Sequence, residues 1–542
     1  MNRIVNIILV FALVMGMPLF AEGQAEDGGS AGGSNVELSA DQPGWKVDTS
    51  PITFDWYIHF SWFPSQWGEG DAVSRYVTEK TGVDINFIVP AGNEAEKLNT
   101  LIAGDQLPDF ITLGWWEGQV NDMIDGDLVY ALDELAEQYD PYFFEVAVDE
   151  RLGWYTRDDG HVYGYPNASF SPSDYDKYDL PSNQTFLVRK DMYEALGEPE
   201  MRTPEGYLDA LRRAKEMFPE TSGQPLIPFG MHEFGDSGNY SLEAYLQNFL
   251  AIPYEENGQL IDRFAHPEYK RWLLTLRQAR EEGLITTDVF VDKRAQMEEK
   301  IAQGRYFSML YQRTDFAGQQ QILFENDPDS IYIAVDGPAN SDMDDPRLAG
   351  QGVAGWTITL ISKNVEDPAR AIRFMSYMLS EEGQKDFYLG VEGVTWENRD
   401  GKDQLTPEAL EMLQTDRGQF DKVHGAVTTY WMLMDNAMFA QWEPEPVSPG
   451  KELVEWTLPY TVSYAAYDNI APPAGTELGI ISSKIVELRG KMLPALLNAE
   501  SEAEFEEIWD SWIERKEELG LEELMEYQQT KVDVNKTKLG LN

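Results

Sequence analysis

Apolar and polar positions change places in short blocks from Ile52 onward, and the length and period of each block separate strands from helices. Ile52–Ile58 and Val83–Val89 are rich in β-branched and aromatic residues and read as strands. Between them, Asp71–Thr81 sets Val73, Tyr76 and Val77 on one side of a helix, and Gly82 follows as a C-terminal cap. Glu94–Ala103 is a second helix; a Gly-Asp turn and a third strand, Phe110–Leu113, complete the series. Strand–helix–strand–helix–strand within about 60 residues predicts βαβ units and a parallel sheet. The third strand runs straight into Trp115, Trp116 and Glu117. Ligands of open α/β sheets bind off the carboxyl ends of the strands. Adjacent strand residues point to opposite faces, so both rings cannot finish one core, and at least one is expected in a cleft.

Farther along, Gly153–Gly164 reads as a hairpin with Asp159-Gly160 as its turn. The polar, aromatic stretch Tyr165–Asn183 then reads as a passage between lobes, before a strand at Thr185–Arg189. Thr203-Pro204-Glu205 opens a helix with an N-cap and Pro at its first position. Helices dominate Leu242–Arg305. Short strands are expected at Ser308–Tyr311, Ile331–Val335 and Trp356–Ser362, and Asp367-Pro368 starts a helix reaching Leu379. Leu478–Tyr527 is helical and acidic, and no repeat is visible.

The chain has 542 residues, more than one core of about 250–300 residues holds, so two or more lobes are expected. Its 94 acidic against 42 basic residues give a net charge of −52, a field that repels nucleic acid and anionic lipid. No nucleic-acid partner is expected. Without cysteine there is no disulfide, thiolate metal site or cysteine nucleophile, and the five histidines show no HExxH spacing. No metal, no cofactor and no catalytic residue set is predicted. Arg3, the apolar run Ile4–Phe20 and the small residues Ala21 and Gly23 mark residues 1–23 as a cleaved signal peptide, with 24–45 as a flexible linker. With no cysteine for lipid attachment, the expected product is exported, soluble and periplasmic.

Four stretches in order, LNTLIAGDQLPDF, TFLVRKDMYEALG with TPEGYLDALRRAKEMFP, EEKIAQGRYFSML and WTITLISKNVEDPARAIRFMSYMLSEEGQKDFYLGVEGVTW, resemble the extracellular solute-binding proteins of ABC sugar importers. The similarity is to the large oligosaccharide-binding branch that includes alginate- and pectin-fragment-binding proteins. It implies an α/β, two-lobed periplasmic-binding-protein fold, each lobe a mainly parallel sheet flanked by helices, with additional C-terminal helices. It also implies a monomer that holds an oligosaccharide between its lobes, closes about a hinge, and delivers the ligand to the transmembrane subunits of an ABC permease. On that pattern residues 46–175 with about 336–392 form one lobe and 182–330 with about 393–542 the other, with hinge segments near 165–185 and 331–340. Some relatives carry a calcium loop of Asp and Asn; here Phe218–Gly230 offers only Glu220, too few oxygens for calcium. Asp174, Asp176 and Asp179 lack the spacing of an EF-hand loop and read as a solvated face.

Aromatic rings stack on the CH faces of sugars while polar groups bind the hydroxyls. The ring candidates at strand ends or loops are Trp62, Trp67, Trp115, Trp116, Trp356, Trp396 and Trp431. The polar candidates are Glu117, Glu392 in the GVEGVTW loop, and Arg313, which suits a sugar carboxylate. The alternative is a secreted polysaccharide-degrading enzyme, a glycosidase or lyase; a glycosidase needs two carboxylates about 5–10 Å apart, and no motif points to a pair.

Overall fold

Two sheets carry the fold, and in each of them one strand runs against the rest. The structure, a computed structural model, describes residues 38–541 apart from 64–66, 68–69 and 427–432. The sheet strands are β1 (Ile52–Ile58), β2 (Val83–Ile88), β3 (Phe110–Gly114), β4 (Gly164–Pro166), β5 (Gln184–Arg189), β6 (Ile227–Met231), β7 (Tyr306–Gln312), β8 (Tyr332–Ala334) and β9 (Thr357–Ile361). The first sheet has the order β2-β1-β3-β9-β4 and the second β8-β5-β7-β6. β1 is parallel to β2 and β3, while β9 is antiparallel to both β3 and β4. In the second sheet β7 is parallel to β6, and β5 is antiparallel to β7 and β8.

The two reversed strands, β5 and β9, are the ones the chain enters directly after leaving the other sheet. A chain that leaves one sheet where its parallel strands end, and enters its neighbour at that same edge, must run backwards through the strand it enters. The start of β9 thus lies beside the ends of β1 and β3: Thr357 pairs with Gly114, and Ile361 with Phe110.

Both faces of the first sheet are buried, as expected for strands covered by helices on each side. Phe54, Trp56 and Phe110 face one core with Ile372, Phe374 and Met375 of the helix Pro368–Leu379. Tyr57, Ile111 and Leu113 face another with Leu98, Val120 and Met123 from the helices Glu94–Ala103 and Gly118–Asp125. The second sheet repeats the arrangement. Phe186, Val188 and Leu310 meet Leu493, Trp509 and Trp512 of the C-terminal helices Glu477–Leu497 and Glu502–Leu519, and Leu187, Ile227 and Tyr311 face the other way.

Three regions differ from the expectations. The stretch 393–442 was expected with the second sheet, yet Trp396, Phe420, Phe439 and Trp442 are buried in the core of the first. Tyr388 stacks on Phe439 with centroids 4.3 Å apart, so this returning segment covers the helix it follows. The first arm of the expected hairpin is instead a helix, Asp149–Tyr155. Asp149 and Glu150 at its first turn favour a helix N-terminus. Asp176 and Asp179 are exposed, but Asp174 is buried against the Arg151 guanidinium at 2.8 Å. Asp435 holds the same guanidinium at 2.6 Å, so this buried ion pair ties the connection after β4 to the segment after 432.

The connections between the sheets lie side by side. Phe170 N–H donates to the Gly352 carbonyl at 3.1 Å, Trp356 N–H to Asn167 at 3.1 Å, and the Ser182 hydroxyl to Ala349 at 2.7 Å. A third segment joins them, since Leu348–Ala349 pairs with Thr461–Val462.

Candidate functional site

The strand-terminal edge of the first sheet is built of rings. β1 continues past Ile58 as His59, whose N–H donates to the Thr112 carbonyl at 2.9 Å. The chain then turns through Phe60 and Trp62. Trp356, at the start of the reversed strand, meets both: its ring lies 5.2 Å from Phe60 and 5.8 Å from Trp62, nearly parallel in each case. Trp62 stays 62% exposed despite this packing.

The paired tryptophans at the end of β3 divide as the alternation of side chains requires. Trp115 is half-buried and its indole N–H donates to the Gly355 carbonyl at 3.2 Å. Trp116 is 52% exposed and meets Trp115 edge to face at 5.7 Å. A Cβ on Gly114 would fall 2.7 Å from the Trp116 ring, so only glycine lets that ring lie back across the strand end. Glu117 follows at the start of the helix Gly118–Asp125. Burial holds the His59 imidazole below its usual range, opposed by the nearby Glu117 and Glu94 carboxylates.

The corresponding edge of the second sheet is built of polar groups. Past the ends of β6 and β7, residues including His232, Glu233, Tyr240, Arg294, Gln312 and Asp315 line a cavity of about 430 Å³. Tyr240 is 53% exposed and sits edge to face on His232 at 5.4 Å. The His232 N–H donates to Ser241 Oγ at 2.9 Å, and its Nδ1 lies 2.7 Å from the same oxygen. Ser241 spends its one hydroxyl proton on the Leu310 carbonyl. Oγ therefore accepts from Nδ1–H, and His232 Nε2 is left as a bare acceptor. That nitrogen is buried and has no partner among the described residues. Burial pushes the imidazole pKa down to about 3, with Arg294 acting in the same direction, so the ring is neutral at pH 7.

The expected site residues separate accordingly. Trp62, Trp115, Trp116, Glu117 and Trp356 come together at one strand edge. Trp67 is a core residue, 8% exposed, with its indole N–H on Asp84 at 2.8 Å. Trp396 is equally buried, donating to the Gly390 carbonyl at 2.9 Å, and Glu392 is exposed on the loop leading into the hairpin that Trp396 begins. Arg313 follows β7, but its Nε is committed to the Ser182 carbonyl at 2.7 Å and its N–H to Asn183, so it secures the passage between the sheets. Trp431 lies outside the described residues. The polar edge was not singled out from the sequence, although the strand-end rule that found Trp115 and Trp116 applies equally after β6.

No group of three or more His, Asp or Glu side chains among the described residues is arranged to hold a metal ion. No helix among them is long and apolar enough to cross a membrane.

The fold matches several solved structures. The alginate-binding protein AlgQ2 without calcium ion is 18% identical, with a TM-score of 0.57 over 91% of this chain and 100% of its own. A human-milk-oligosaccharide (HMO)-binding, ABC-transporter-associated solute-binding protein from Bifidobacterium longum infantis is 15% identical, with a TM-score of 0.63 over 90% and 99%. The substrate-binding protein FusA from S. pneumoniae, in complex with kestose, is 15% identical, with a TM-score of 0.58 over 89% and 99%. At these identities the likeness speaks for the fold. A comparison with curated protein sequences gives no match. The family model for bacterial extracellular solute-binding proteins matches residues 65–385, more than half of the chain. The chain belongs to the bacterial extracellular solute-binding proteins.

Proposed function

We propose that this protein is the substrate-binding component of an ABC importer and captures an oligosaccharide between the strand-terminal edges of its two sheets. The observation that carries the reading is the ring shelf of Phe60, Trp356 and Trp62, which leaves an indole 62% exposed beside a second exposed indole and a carboxylate. Large exposed rings at a strand edge are unfavourable in water unless something covers them, and a sugar ring supplies both a CH face and hydroxyls. The family supports a solute carrier. The named ligands of the fold relatives, alginate, milk oligosaccharides and kestose, favour a saccharide.

On this reading each sheet is the centre of one lobe. Core packing supports 46–166 with 357–442 as the first lobe and 184–334 with 453–538 as the second, with hinge connections at 167–183, 335–356 and 443–452. Ligand bridging the two edges binds the closed form better than the open one and shifts the population toward closure. The closed monomer is what the permease transmembrane subunits recognise. No bond is made or broken. Residues 1–23 direct export, and the mature protein works in the periplasm.

A thermal-shift and calorimetric screen of oligosaccharides, with the sugar recovered and sized afterwards, tests this. A ligand that raises Tm and is recovered intact supports the carrier. New shorter products, or no saccharide shifting Tm at millimolar concentration, would overturn it.

A further inference from the structure

We infer that the site selects by charge, taking neutral oligosaccharides and rejecting those that carry carboxylates. This rests on the carrier reading above.

The unpaired charges presented at the two edges are carboxylates. His232, in the cavity wall, is held neutral with its Nε2 buried and without a partner among the described residues, so it offers no positive charge to a ligand. Glu233 lines the same cavity, and Glu117 stands at the ring shelf. Neither carboxylate forms an ion pair among the described residues. Sugar hydroxyls can donate to both carboxylates. A uronate carboxylate would instead meet two like charges.

The cations beside the two edges are engaged: Lys293 Nζ donates to the Phe234 carbonyl at 3.4 Å. Arg294, in the cavity wall, pairs with Glu298 at 2.7 Å and with Asp315 at 3.1 Å. Arg313 donates its Nε to Ser182, and burial, opposed by the facing Glu443, holds its pKa below the usual value. His59 and His232 are both shifted toward the neutral form by burial. The sequences of 64–66, 68–69 and 427–432 contain no Lys, Arg or His. A formal charge of −52 adds a long-range field that slows the approach of any anion. Specificity here comes from a repulsive element as well as an attractive one.

The test is calorimetry on the exported form, at low and at high salt, with neutral oligosaccharides and carboxylate counterparts of the same linkage, such as oligogalacturonates with and without methyl esterification. The expected result is that the tightest ligand is neutral and that its carboxylate counterpart binds at least about tenfold more weakly, a gap that narrows with salt. A second arm uses the double variant Glu117→Gln with Glu233→Gln, in which that gap should shrink severalfold. A uronate that binds as well as its neutral counterpart overturns the charge selection and leaves the carrier standing. So does an unchanged gap in the double variant. Failure of every saccharide, neutral and acidic, overturns both.

Discussion

The two strand-terminal edges are made of opposite materials. The first is a shelf of indoles and a phenyl ring, stacked at 5–6 Å and partly open to water. The second is a polar cavity in which an imidazole is locked by Ser241 into one tautomer. Stacking on rings is tolerant of sugar identity, whereas a fixed acceptor reads the position of a hydroxyl. The contrast teaches that two edges of one fold can offer different things: the first contact area, the second polar groups fixed in place.

That contrast can be broken in several places. The largest effect is expected at a tryptophan belonging to neither edge. Trp67→Ala empties a core position and should cost roughly 3–5 kcal/mol of stability, measured by denaturant unfolding, while the folded fraction binds ligand as before. If binding falls without loss of stability, Trp67 belongs to the shelf after all. Next comes the pH response of the polar edge. In the unfolded chain His232 takes up a proton near pH 6.5, but in the folded protein only near pH 3. Between these values the unfolded state binds more protons, so stability falls as pH drops from about 6.5 toward 3. The penalty is roughly 3 kcal/mol at pH 4. His232→Gln should flatten that limb of the Tm–pH curve; an unchanged curve would refute the buried neutral imidazole.

Trp62→Ala should weaken ligand binding by roughly 2 kcal/mol, about thirtyfold, with Tm nearly unchanged because the ring is mostly exposed. Equal affinity in the variant would remove the shelf from the site. The smallest effect is expected at Gly114→Ala, whose added methyl must displace the Trp116 ring; binding should weaken about two- to fivefold, roughly 0.5–1 kcal/mol. Loss of fold there would mean that the ring cannot move.

The first edge was readable in the chain because its parts are contiguous. Phe60 and Trp62 directly follow a strand, Trp115 and Trp116 follow another, and Trp356 directly precedes a third. The second edge is assembled from 232–233, 240, 294 and 312–315, four separated pieces that carry no common motif. The sequence also marked Trp67 and Trp396 as ring candidates at strand ends or loops; both rings are instead buried, with their indole N–H groups on Asp84 and the Gly390 carbonyl. Residue type and position near a strand do not reveal whether an indole N–H has such a partner.

Period and caps by themselves determined most of the elements, the helix Asp149–Tyr155 excepted. The alternation in Ile52–Ile58, the Gly82 cap and the Asp367-Pro368 start each specify a local backbone geometry that the structure repeats within a residue or two. Those signals are local because strand pleat, helix pitch and cap hydrogen bonds involve neighbours in the chain. Only the tertiary structure decided that Trp396, Phe420, Phe439 and Trp442 close the first core, that β5 and β9 run backwards, and that His232 Nε2 is buried without a partner among the described residues. Each of these depends on which surfaces meet when distant segments bury their apolar faces. That choice is made by shape and area across the whole fold, and no short stretch of sequence contains it.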